Sequence, residues 1–348
     1  MKINFLIIGL GINGGSRAII ELCNRLYEFG HEVNIIYPRF IKIKPLNYDL
    51  KSDEYPMLIG SKIFHNIKGL FGIKNIREIT PIKCRLLIVP YLSNRYIPDA
   101  DFTIATWWET CEYLQKLNKN KGHKTYFIQH FETWNNNKER VLKTYEMGFF
   151  NIANSNWVKE QIEKNTIGKT DKVILHAPNH DDFYYKKGFR KKLPIRIFAL
   201  YGSAEWKRPL WVIKACEHLS QEYNIMWKIA GIDEKWSTED LRNSYNSSHI
   251  FCFPSKIEGF GMPPMEAMCC KCAVVSTDVG AVKDYAGDCA LISDADDFYA
   301  FQANIKKLLD NPKMIDELGE KGYKKMQDYS WGKTARNIEY ELLRKVIL

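Results

Sequence analysis

Short apolar runs alternate along the chain with longer segments whose apolar positions recur every three or four residues. The runs "INFLII", "EVNIIY", "RLLIVP", "FTIAT", "TYFIQ" and "FNIAN" predict a first series of strands. "IRIFALY", "MWKIAG", "HIFCFP" and "AVVST" predict a second. Runs apolar on successive positions suit strands covered on both faces, and strand–helix alternation throughout predicts an α/β chain with parallel sheets. Between the two series lies the basic stretch "YYKKGFRKKLP", residues 184–194, which reads as a linker. The pattern therefore predicts two Rossmann-like, doubly wound domains facing across a cleft, residues 1–190 and 191–330.

Composition narrows the class. The 348 residues are enough for two cores, and 45% apolar with 26% charged residues is the balance of a soluble globular protein. No apolar stretch is long enough to span a bilayer, and no small-residue cleavage site follows the first run, so neither an anchor nor a signal peptide is expected. Nine cysteines without framework spacing fit reduced thiols and a cytoplasmic chain. The net charge of +9 favours anionic partners. Nucleic acid is not expected among them, because zinc-finger spacing and aromatic-basic RNA motifs are absent. Residues 61–76, "SKIFHNIKGLFGIKNI", place Ile63, Phe64, Ile67, Leu70 and Phe71 on one helical face with Lys62, Lys68 and Lys74 among the polar positions. Two readings stand: contact with an anionic membrane surface at its inner face, or packing on its own domain.

The first candidate motif is "GLGINGGSR", where Gly9, Gly11 and Gly14 spell G-x-G-x-x-G between a strand and a helix. A nicotinamide site adds a carboxylate at the end of the second strand, yet "EVNIIY" runs into Pro38 and Arg39. Arg39 leaves NADP, and with it an NAD(P)-dependent oxidoreductase, as an alternative. What the glycines establish is a helix N-terminus whose amides face an anion or a hydroxyl.

The second motif is more specific. In "PSKIEGFGMPPMEAM", Glu258 sits in a glycine loop and Glu266 eight positions on, inside a helix opened by Pro263 and Pro264. The amides of Gly259, Phe260, Gly261 and Met262 face an anion there. Carboxylates beside such a pocket are suited to accept hydrogen bonds from sugar hydroxyls. "CCKC" (Cys269, Cys270, Cys272) cannot converge tetrahedrally on a metal, and "DAD" (Asp294–Asp296) stands where a helix N-cap is wanted. No metal and no cofactor is expected.

This stretch resembles the E-x7-E signature of the retaining glycosyltransferases of family 4, which have the GT-B fold. The resemblance extends over "GINGGSR", "NIANSNWVKEQI", "LHAPNHDDFY", "LYGSAEWKRPLWVIKA" and "YSWGKTARNIEYELL". It implies that the closing helix, 331–348, packs back on the first domain. It also implies a catalytic set of Glu258 at the donor sugar, Lys207 at the diphosphate and His130 beside the reacting sugar. Glu266 would hold the ribose, and Gly14 and Gly15 would line the diphosphate or acceptor side. The family arginine is replaced by Ser203, with Arg208 as the candidate substitute. The extra strand–helix unit common between "KIAGID" and "HIFCFP" is missing. "ATWWETCEY" offers Trp108 and Glu109 to an acceptor, with the tryptophans equally readable as core. The activity implied is metal-independent transfer of a hexose or deoxyhexose from a nucleoside diphosphate sugar, UDP or GDP slightly favoured, to a glycan or lipid-linked acceptor. A non-catalytic nucleotide-sugar or glycan binder is the remaining alternative.

Overall fold

The computed structural model describes residues 1–10, 14–40, 81–133, 137–200, 204–231 and 236–347. Residues 61–76, Gly11 and Ser203 lie outside them. The chain divides into two compact units, each built on a parallel sheet. The first comprises Met1–Ala153, Lys159–Ile174 and Ala335–Leu348, and the second Asn154–Val158 and Leu175–Thr334.

In the first unit β1 (Lys2–Leu6), β2 (Glu32–Pro38), β3 (Arg85–Val89), β4 (Phe102–Ala105), β5 (His123–Ile128), β6 (Phe150–Ala153) and β7 (Lys172–Val173) form one sheet in the order β3-β2-β1-β4-β5-β6-β7. The second unit orders β8 (Ile195–Leu200), β9 (Ile225–Ala230), β10 (Ile250–Phe253), β11 (Ala273–Thr277) and β12 (Ala290–Ser293) as β12-β11-β10-β8-β9. Central strands are buried along their whole length, as in "FTIA", "IFCF" and "AVVST". Helices cover both faces of such strands, so each must be apolar on successive positions. This is the α/β fold of two Rossmann-like units that the pattern predicts.

The expected boundary at residue 190 falls inside the second unit. Lys186 donates its backbone N–H to Asn246 Oδ1 at 2.6 Å, and Arg190 donates to the carbonyls of Lys271 and Cys270 at 3.0 and 3.1 Å. A hydrophilic stretch reads as a linker, but here its polar atoms dock it on the second core. The closing helix Trp331–Ile347 gives its first turn to the second unit and belongs to the first from Ala335 on. Among the described residues no helix is long and apolar enough to cross a membrane.

Candidate active site

Open parallel sheets bind ligands beyond the C-terminal ends of their strands, where the strand order reverses. The reversal falls between β8 and β10 in the second unit and between β1 and β4 in the first. The motif residues follow these strands or their immediate neighbours.

In the second unit, the chain after β8 makes a short turn, Glu205–Lys207, and enters the helix Pro209–Leu219. After β10 it makes the glycine loop and enters the helix Met262–Cys269. Lys256 ties the two loops by donating its N–H to the Trp206 carbonyl at 2.7 Å. Lys207 Nζ pairs with Glu258 Oε1, with the side chains only 29% and 13% exposed. The ammonium also lies 5.8 Å from the centre of the Phe253 ring. Glu266, half-buried on the helix, accepts a hydrogen bond from Tyr245 Oη at 3.1 Å.

The glycine loop is held from behind through its carbonyls. Ser155 Oγ donates to Gly259 O at 3.0 Å, the Ala281 N–H to Phe260 O at 2.8 Å, and Tyr285 Oη to Gly261 O at 2.6 Å. In a trans peptide the N–H points opposite to its own carbonyl. The amides of Phe260, Gly261 and Met262 are therefore turned away from these three donors. Gly280 permits the close approach: with φ +54°, an added Cβ would lie 2.7 Å from Phe260 O and 3.0 Å from Glu258 Cβ. Ser155, Tyr245, Gly280 and Tyr285 are absent from the sequence-based set. Their roles run through partners far along the chain, backbone carbonyls for Ser155, Gly280 and Tyr285 and the Glu266 carboxylate for Tyr245, and the glycine of "TDVGAV" was the one available signal.

Phe260, expected to serve through its amide, keeps its ring in the core, and Arg208 is engaged elsewhere. The Phe260 ring is core, stacked on His176 at 4.7 Å and on Tyr285 at 5.5 Å, which leaves its backbone to face a ligand. Arg208, in the left-handed region at φ 48°, turns its guanidinium to the Ala295 carbonyl and Asp296 and over the Trp211 ring at 4.5 Å. The guanidinium offered for the charge missing at Ser203 is thus paired with Asp296 in this structure. Asp297 caps the helix Phe298–Asp310 through the Ala300 N–H at 2.8 Å.

In the first unit, Gly14 (exposed) and Gly15 open the helix Gly14–Glu28 after β1, and Ser16 Oγ closes the turn onto the Gly9 carbonyl at 3.3 Å. His130 follows β5, with its carbonyl accepting from Tyr145 Oη at 3.4 Å. Trp108 and Glu109 open the helix Trp108–Gln115 after β4. Trp108 is 3% exposed, with Arg140 4.9 Å above its ring, so its indole is core and not an acceptor platform. Burial pushes the Glu109 carboxyl above its usual range; Arg140 opposes this and Glu112 adds to it.

Burial also lowers His176 from the ordinary imidazole range to about 3. The unfolded chain then binds one more proton than the folded one between about pH 6.5 and 3, so stability falls as pH drops through that window. Thermal or urea unfolding is expected to lose about 2 kcal/mol at this site between pH 6.5 and 5. His176→Phe keeps the stack and removes the proton, and should flatten that part of the profile. An unchanged slope would refute the assignment.

Residues 214–325, which include Glu258, Gly280 and Glu266, match the family model described as glycosyl transferases group 1. O-antigen chain mannosyltransferase B of Escherichia coli is 30% identical over 119 residues, 32% of this chain and 31% of that protein. MMP alpha-(1->4)-mannosyltransferase of Mycolicibacterium hassiacum is 31% identical over 103 residues, 28% of this chain and 25% of that protein. The chain thus spans less than a third of the length of these curated relatives. Over whole chains the fold is similar to Anabaena Alr3699/HepE solved with UDP and glucose (TM-score 0.70, 13% identity, 99% of this chain and 100% of that one). It is also similar to sucrose-phosphate synthase from Thermosynechococcus elongatus (TM-score 0.67, 15% identity, 100% and 99%). These likenesses identify the fold as GT-B.

Proposed function

We propose that this chain is a retaining glycosyltransferase that moves a hexose or deoxyhexose from a nucleoside diphosphate sugar to a hydroxyl of a glycan or lipid-linked acceptor. The observation that carries the reading is the Lys207–Glu258 pair beyond β8 and β10, beside a loop whose amides are turned out by bonds to their carbonyls. Names of relatives and neighbours support it: two similar proteins are named mannosyltransferases, and a whole-chain neighbour was solved with UDP and glucose.

In this reading the bond between the anomeric carbon and the diphosphate oxygen breaks, and the oxygen leaves with the electron pair. Lys207 and the amides of residues 259–262 stabilise that charge, which is where preorganised donors lower a barrier. Glu258 accepts hydrogen bonds from the sugar hydroxyls and Glu266 from the ribose. The acceptor oxygen bonds to the same face of the anomeric carbon and its proton passes to the leaving phosphate. His130 serves the reacting sugar, Glu109 the acceptor hydroxyls, and the amides at Gly14 and Gly15 the diphosphate or the acceptor. No step calls for a metal.

A thermal-shift series with UDP, GDP, ADP and NADP tests the donor. A ligand bound only by the folded chain stabilises it by about 2.7 kcal/mol at a hundredfold excess over its Kd. UDP or GDP is expected to raise Tm, and Lys207→Ala to abolish the rise. A shift with NADP alone would replace this reading with an oxidoreductase.

A further inference from the structure

Glu132 is 0% exposed, two residues past His130 and within the first unit. Its Oε2 accepts from the Trp108 backbone N–H at 3.0 Å and from Tyr126 Oη at 3.3 Å. Its own N–H donates to Tyr145 Oη at 3.2 Å, and that hydroxyl donates to the His130 carbonyl. Oε1 has no hydrogen-bond partner among the described residues. One carboxyl thus joins the first residue of the Trp108–Gln115 helix to the turn carrying His130.

The groups facing it are Glu109 and Cys111 from that helix, Tyr126 from β5 and Tyr145 from the helix Lys138–Tyr145. Arg140 reaches the Trp108 ring but is hydrogen-bonded to Glu112 at 3.0 and 2.6 Å. Among the described residues no cation faces it, and burial without one disfavours an ionised carboxylate. Burial accordingly pushes the Glu132 carboxyl well above its ordinary range. Burial thus favours the protonated form, in which Oε2 still accepts both bonds.

We propose that Glu132 is a positioning residue which sets His130, and with it Glu109, at the C-terminal end of β4 and β5. The inference rests on the reading of His130 and Glu109 as substrate-facing, and the test separates the two.

Acceptor-dependent release of UDP from UDP-glucose, or of GDP from GDP-mannose, gives kcat and donor KM. Histidine-labelled full-length protein gives the His130 ring resonance by NMR, identified by its loss in His130→Ala. Glu132→Gln keeps the shape and the acceptor oxygen; it should hold kcat within about threefold, since both bonds to Oε2 survive. Glu132→Ala should lower kcat about 10²-fold with donor KM unchanged, the size expected for a misplaced group. It should also move the His130 resonance outside the wild-type line width. Tyr126→Phe, which removes one of the two bonds to Oε2, should move the resonance in the same direction if the alanine variant fails to fold. Glu132→Ala, or Tyr126→Phe in its place, with the resonance unmoved overturns the proposal. So does Glu132→Gln as impaired as the alanine variant, which would make the charge itself essential. Full turnover by His130→Ala would instead sink the substrate-facing reading, whatever the resonance does.

Discussion

Lys207→Ala is expected to lower kcat by about 10²–10³ while leaving the fold almost untouched, and Glu258→Gln to do the same. The two effects separate because the pair has different worth in two states. Without substrate it is a partly exposed ion pair, and such pairs contribute about 0–1 kcal/mol to stability. In the reaction each partner faces a group whose charge or hydrogen bonding develops at the transition state, so its loss falls on kcat. The Lys256–Trp206 backbone bond continues to hold the two loops together in either variant. Steady-state kinetics beside urea unfolding reads both quantities. A large loss of stability with proportionate loss of activity would mean the pair is a structural clamp.

Gly280→Ala is expected to be the most damaging single methyl group near the loop. At φ +54° an L-residue costs about 1–2 kcal/mol, and the added Cβ would meet Phe260 O at 2.7 Å. Overpacking adds about 1–3 kcal/mol. Together these give a destabilisation of about 2–5 kcal/mol. Relief of the clash pushes back the peptide that carries Phe260 and shifts Glu258, so kcat should fall in the surviving folded fraction as well. Gly188→Ala is the matched control: its φ is +79° but nothing lies within 4 Å of the added carbon. That variant should show the conformational cost alone and normal turnover. Equal losses in the two variants would show that the close approach at Gly280 does not matter.

The strands were legible in the sequence because parallel interior strands are buried on both faces, which leaves unbroken apolar runs such as "IFCF" and "AVVST". β7, two residues long, carries too little pattern to read, and the short β12 stands outside the two predicted series. Glu258 and Glu266 stood out as candidates because the glycines and prolines around them impose a local geometry, whereas Lys207 stood out only through the family resemblance. What escaped depends on partners distant in the chain. Arg208 is claimed by Asp296, 88 positions on, and the loop carbonyls are held by Ser155 and Tyr285. Trp108 shows the other limit: an indole serves equally as core and as sugar platform, and only its burial decides. The polar stretch 184–194 misled for a related reason, since Lys186 and Arg190 spend their hydrogen bonds on the second core.

The most direct test of the account is acceptor-dependent nucleotide release, with NMR of the product, for wild type and Glu258→Gln across UDP- and GDP-sugars. Release of UDP or GDP is expected only with an acceptor present, with a new glycosidic bond of the same anomeric configuration as the donor, and both are expected to be lost in the variant. Binding of nucleotide sugar without transfer to any acceptor, or a product of inverted configuration, would contradict this expectation.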